Sequence, residues 1–165
     1  CARLEIDMRH GRFAIAFLAA VLLSRNAAMP AEPCATASEQ AALRSRAVQT
    51  DLMLAALNCD ERARYNLFVQ EFGQPLAVQG AGMKAYFQRA HGAAAIEEMN
   101  AFVTRLANMA SQRYIEEPSR FCAAAKEQLT ELLAMKPADY PAFVARQVVA
   151  PSPDVKACPK TATDP

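Results

Sequence analysis

The sequence predicts an all-α fold, a single antiparallel bundle of five to six short helices stapled by two disulfides. Three observations carry that prediction. Apolar residues recur at steps of three, four and seven, the repeat of one helix face, and no stretch alternates apolar and polar over five or more positions with β-branched enrichment, as a half-buried strand requires. Alanine, the best helix former, supplies 36 of the 165 residues. Cys34, Cys59, Cys122 and Cys158 follow a segment that reads as an export signal, and an even number of thiols in an oxidising compartment reads as two bridges.

Residues 1–31 are expected to be an upstream fragment plus a signal peptide, with Met8 as initiator because Cys1 to Asp7 is mixed in charge. Arg9, His10 and Arg12 make a basic start, Phe13 to Leu23 are eleven apolar residues in a row, and Ala27, Ala28 and Ala31 supply small residues for cleavage between Ala27 and Glu32. A membrane-spanning helix needs about 20 apolar residues, so no span is expected after cleavage. Ala31, Glu32 and Pro33 before Cys34 lack the small aliphatic pattern of a lipid-attachment site. The expectation is a periplasmic or secreted helical domain over residues 32–150 and a Pro-rich tail, 151–165, carrying Cys158.

Hydrophobic residues make up 53% of the chain, but alanine buries little area, so the usable core is smaller than that figure suggests. Charged residues at 21% with no long polar tract exclude a disordered chain. Beyond residue 31 the chain carries 14 basic and 15 acidic side chains, which gives no electrostatic footprint for nucleic acid.

Thr36 to Glu39 fits a capping box, so a first helix should run from about Ala37 to Leu57, with Ala41, Val48, Leu52 and Ala55 in a stripe that ends on Cys59. Asn58 to Glu61 is a second capping-box match. Behind it Tyr65, Phe68, Val69, Phe72 and Leu76 form the strongest amphipathic signal in the chain. Gly73, Pro75, Gly80 and Gly82 should break the pattern, leaving a short third helix with Met83, Tyr86, Phe87 and Ala90. It should end at Gly92, with Arg89 and His91 in its last turn. A fourth helix is expected to bury Ile96, Met99, Val103, Leu106 and Ala110. Pro118 suits the first turn of a fifth, with Glu116 and Glu117 near its N-terminus and Phe121, Cys122, Ala125, Leu129 and Leu132 on its inner face. Asp139 to Val149, with Tyr140, Phe143, Val144 and Val148 in register, makes a sixth.

Four thiols allow three pairings. The first helix would be about 30 Å long, and bridged Cα atoms must lie within about 7 Å, which disfavours Cys34 with Cys59. Cys59 and Cys122 both extend apolar stripes, so the expected pattern joins Cys59 to Cys122 and Cys34 to Cys158. The crossed pattern, Cys34 with Cys122 and Cys59 with Cys158, stays open.

The chain offers little catalytic grammar. It lacks C-x-x-C and C-x-x-C-H, which removes the usual spacing for a redox pair, a zinc knuckle or covalent haem, and no metal or cofactor is expected. It also lacks a G-x-S-x-G elbow and a phosphate-binding glycine loop. The acidic neighbours Glu97-Glu98 and Glu116-Glu117 diverge around a helix and read as solvated surface. Arg44, Arg46, Arg62 and Arg64, offset by Asp51, Asp60 and Glu61, read as a solvated mixed face. The weak candidate site is Tyr86, Arg89 and His91. Tyr86 and Arg89 share a face, whereas His91 points elsewhere and has a structural role at the helix end. The leading expectation is an exported, non-enzymatic module that binds a protein partner or an envelope component. The alternatives are a carrier of a small apolar ligand, lined by Met53, Met83, Met99, Met109 and Met135, and an enzyme centred on Tyr86, Arg89 and His91.

Overall fold

Thr36 opens the fold as the capping box requires. Its hydroxyl accepts from the Glu39 N–H at 3.3 Å, and its own N–H donates to the Glu39 carboxylate at 2.8 Å. The computed structural model describes residues 33–147 and 155–159. The expected export signal and initiator Met8, together with Val148 and most of the tail, lie outside those residues.

Six α-helices are described: α1 (Ala37–Asn58), α2 (Arg62–Glu71), α3 (Gly73–His91), α4 (Ala95–Glu116), α5 (Pro118–Ala134) and α6 (Tyr140–Arg146). One-turn 3-10 segments precede α4 and α6. Among the described residues there is no strand, only an isolated parallel bridge between Ala35 and Ala157. The protein is an all-α bundle stapled by two disulfides.

α1 packs against all five other helices. It buries Ala42, Leu43, Ala47, Val48, Leu52, Ala55 and Ala56 together with Ser45 and Thr50, so its contacts extend well beyond the single stripe expected. Small side chains let neighbouring helices approach from several directions at no cost to helix propensity. The two buried hydroxyls are satisfied: Thr50 donates to the Arg46 carbonyl at 2.9 Å, and Ser45 shares a 2.9 Å hydrogen bond with the Tyr140 hydroxyl. Around this shaft the core divides in two. One cluster joins Val48, Leu52 and Ala55 to Phe68, Phe72, Leu129, Leu132, Tyr140 and Phe143. The other joins Ala42, Leu43 and Ala47 to Met83, Tyr86, Phe87, Phe102 and Leu106.

Three local expectations fail, each for a physical reason. Asn58 does not cap α2. It is the last residue of α1, its amide donates to the Leu54 carbonyl at 2.9 Å, and Asp60 turns the chain with φ +60°. The break expected across residues 73–82 shrinks to the single turn at Phe72. Pro75 has no N–H for the Glu71 carbonyl, which separates α2 from α3, but at the third position of α3 it costs that helix nothing. Gly80 and Gly82 lie within α3, and Gly82 has a packing use, since a Cβ there would lie 3.2 Å from that of Ala42. In α4, Ile96 is 70% exposed and Ala95 and Phe102 take buried places that were not expected, while Met99, Val103, Leu106 and Ala110 face inward as expected.

The remaining elements follow expectation. Phe68 and Phe72 are fully buried, Pro118 is the first residue of α5, and Gly92 ends α3 at φ +53°. Tyr140, Phe143 and Val144 form the inner face of α6. The disulfides take the nested pattern. Cys59 joins Cys122 with Cα atoms 5.5 Å apart, and Cys34 joins Cys158 at 4.8 Å.

Candidate functional site

Asp51 and Arg113 meet at the edge of a surface cleft. Asp51 continues the α1 row of Ala47 and Ala55, and Arg113 continues the α4 row of Leu106 and Ala110, so helical register carries both charges toward the same seam. There the Arg113 guanidinium donates to the Asp51 carboxylate, whose side chain is only 20% exposed. Beside the pair a cleft of about 460 Å³ opens between α1, α4 and α5. Glu116, Glu117 and Arg120 stand on its rim, and Phe121, Ala124, Ala125 and Gln128 line the α5 side.

The cleft's charges are held in place. Arg120 donates to Glu117 at 3.0 Å, Gln112 to Glu116 at 3.0 Å, and Gln128 to Gln147 at 3.0 Å. Tyr114 meets Phe121 edge-on with ring centroids 5.9 Å apart, so the aromatic side is braced as well. Burial pushes the Asp51 carboxyl up to about 6 despite the opposing pull of Arg113. A cleft holding a carboxyl shifted by burial and paired with a specific cation is a recognised marker of a functional surface. The expectation of a solvated mixed face fails for Asp51, because its place on α1, between the buried Ala47 and Ala55, sets it against Arg113 of α4. A charged residue standing at i+4 and i−4 from buried alanines was the sequence signal for it.

The structure brings Tyr86, Arg89 and His91 together, around a different centre. Arg89 donates to both oxygens of Glu39, at 2.9 and 2.6 Å, and to the Cys34 carbonyl at 2.7 Å. Its guanidinium lies 5.6 Å from the centre of the Tyr86 ring. Those hydrogen bonds hold the Glu39 carboxyl below its ordinary range, and burial raises the Tyr86 phenol. His91 stacks on Phe87 with centroids 5.7 Å apart and meets Tyr86 edge-on at 6.4 Å. The group thus fastens the end of α3 to the start of α1.

The methionines do not line one interior. Met83 and Met99 belong with one core cluster, Met135 with the other, and Met53 is exposed. A second, smaller cleft of about 310 Å³ lies between the start of α3 and the start of α6, with Pro75, Val78, Pro137 and Pro141 on its walls. Among the described residues no group of His, Cys, Asp and Glu is arranged to hold a metal ion, and no helix is long and apolar enough to cross a membrane. The chain matches no protein-family model, no curated protein and no solved structure, so any functional reading rests on this geometry.

Proposed function

We propose that the protein is a binding module of an extracytoplasmic compartment, periplasmic or secreted, that engages a protein partner through the cleft between α1, α4 and α5. The observation that carries the reading is the cleft itself: an open, 460 Å³ depression in which Phe121, Ala124 and Ala125 lie between the hydrogen-bonded Asp51–Arg113 pair and the polar Arg120 and Gln128. Fixed charges around an apolar patch recognise a partner at low ordering cost. No Ser, Thr, Cys, Lys or His lines the cleft for Asp51 to activate, which is why the reading is binding and not catalysis. Two disulfides support the compartment, since such bridges persist where the surroundings are oxidising.

Ala124 is exposed on the cleft wall, so Ala124→Arg should obstruct the cleft without touching the core. Native mass spectrometry of protein isolated from its producing cells is the test. A complex with a second protein that disappears in Ala124→Arg, with melting unchanged, is the expected result. A bare chain, or a complex indifferent to that substitution, overturns the reading. A lipid or glycan adduct would replace the protein partner with an envelope component.

A further inference from the structure

We infer that Val155 to Pro159 is a redox-gated strap: thiol exchange at Cys34–Cys158 opens it while Cys59–Cys122 keeps the bundle folded. The two bridges are embedded differently. Cys59 follows the last residue of α1 and packs against the Phe68 and Leu129 cluster, and Cys122 lies within α5. If that bond were cut, α1 and α5 would still hold the two thiols side by side. Cys34 and Cys158 both lie on non-helical segments. Beyond the disulfide, the strap's described ties are two backbone hydrogen bonds, Ala35 N–H to Lys156 O at 2.8 Å and Cys158 N–H to Ala35 O at 2.9 Å, a further contact of Lys156, and the packing of Val155 on the α3–α4 cluster.

The local concentration of one thiol near its partner sets how strongly a disulfide resists reduction, because it sets how readily the bond re-forms. That concentration stays high for Cys59 and Cys122 and falls for Cys34 and Cys158 once the strap lifts. The two sides of the open clasp also behave differently. Ala35 is buried, and Arg89 holds the Cys34 carbonyl and Glu39 independently of the disulfide. The N-terminal side therefore stays seated and the C-terminal side departs. Its departure uncovers the part of the α3–α4 apolar cluster that Val155 covers.

The exchange balances with a dithiol as the reductant. One thiolate of the dithiol attacks a sulfur of Cys34–Cys158 and forms a mixed disulfide, and the displaced sulfur takes up a proton. The second thiol of the reductant then closes its own disulfide and leaves both protein cysteines as thiols.

The test uses the intact, disulfide-bonded protein in graded dithiothreitol, quenched by alkylation and read by peptide mass spectrometry. Cys34 and Cys158 should become alkylated at about tenfold lower dithiothreitol than Cys59 and Cys122. At that stage the helical circular dichroism should persist, and hydrogen exchange should rise at Lys156 to Cys158 but not within α1. Cys34→Ser/Cys158→Ser should show the same exchange pattern without reductant. Simultaneous reduction of both bridges, earlier reduction of Cys59–Cys122, loss of helix on opening the clasp, or a strap that stays protected in the double variant would each overturn the inference.

Discussion

Replacing Asp51 by Asn sets two opposing effects against each other. Burial disfavours the charged carboxylate, and Arg113 favours it; burial wins, since the group titrates near 6, not at 3.8. A carboxyl whose folded pKa lies above its unfolded one binds its proton more tightly in the folded state. Its contribution to stability is complete below pH 3.8 and is lost as pH rises through 6. The rise from 3.8 to about 6 corresponds to about 3 kcal/mol. Asn mimics the protonated form and still offers an oxygen to Arg113, whose side chain is 38% exposed and can be solvated. Asp51→Asn should therefore be more stable than the parent at pH 8 by up to about 3 kcal/mol, roughly 10 °C in melting temperature for a domain of this size, and should converge on it near pH 4. Thermal unfolding followed by circular dichroism at pH 8, 6 and 4 measures this directly. If the variant melts below the parent at pH 8, or the gap fails to close on acidification, then the Arg113 attraction outweighs burial and the argument is refuted.

Gly80 has open space around its Cα whereas Gly82 faces Ala42, so Gly80→Ala should stabilise the helix by up to about 1 kcal/mol and Gly82→Leu should cost about 1–3 kcal/mol, both read from urea midpoints. Tyr140→Phe leaves the buried Ser45 hydroxyl without its 2.9 Å partner and should cost about 1–3 kcal/mol, most of it recovered in Ser45→Ala/Tyr140→Phe. Glu39 is held below its ordinary range by Arg89, so its contribution is present above about pH 4.5 and fades as pH falls. Glu39→Gln should accordingly lower the melting temperature at pH 7 and match the parent near pH 2.

The helical fold, and the exclusion of one cysteine pairing, were legible because their causes are local. Thr36 with Glu39, the Phe68 to Phe72 step, Pro118 and Gly92 each act within a turn or two of chain, and the rigid length of α1 by itself disfavours Cys34 with Cys59. What escaped depends on neighbours distant in sequence. Gly82 reads as a breaker until Ala42 is set against it. Ile96 reads as core because it is apolar, although it stands on the exposed side of α4. Asp51 reads as one of several surface charges until α4 brings Arg113 across the seam. The cleft between them is a product of three helices, and no single segment encodes it.

The nested bridges also govern what a protease can accomplish. Any single backbone cut between Cys34 and Cys158 leaves the two fragments covalently joined through that outer bond. A cut between Cys59 and Cys122 leaves them joined twice. Fragments retained at such proximity keep their packed partners at hand, so a nicked molecule should migrate at full mass without reductant and retain much of its helix. A single nick therefore frees no fragment from between Cys34 and Cys158 until a disulfide is reduced, which ties the first step of breakdown to the thiol chemistry of the surroundings.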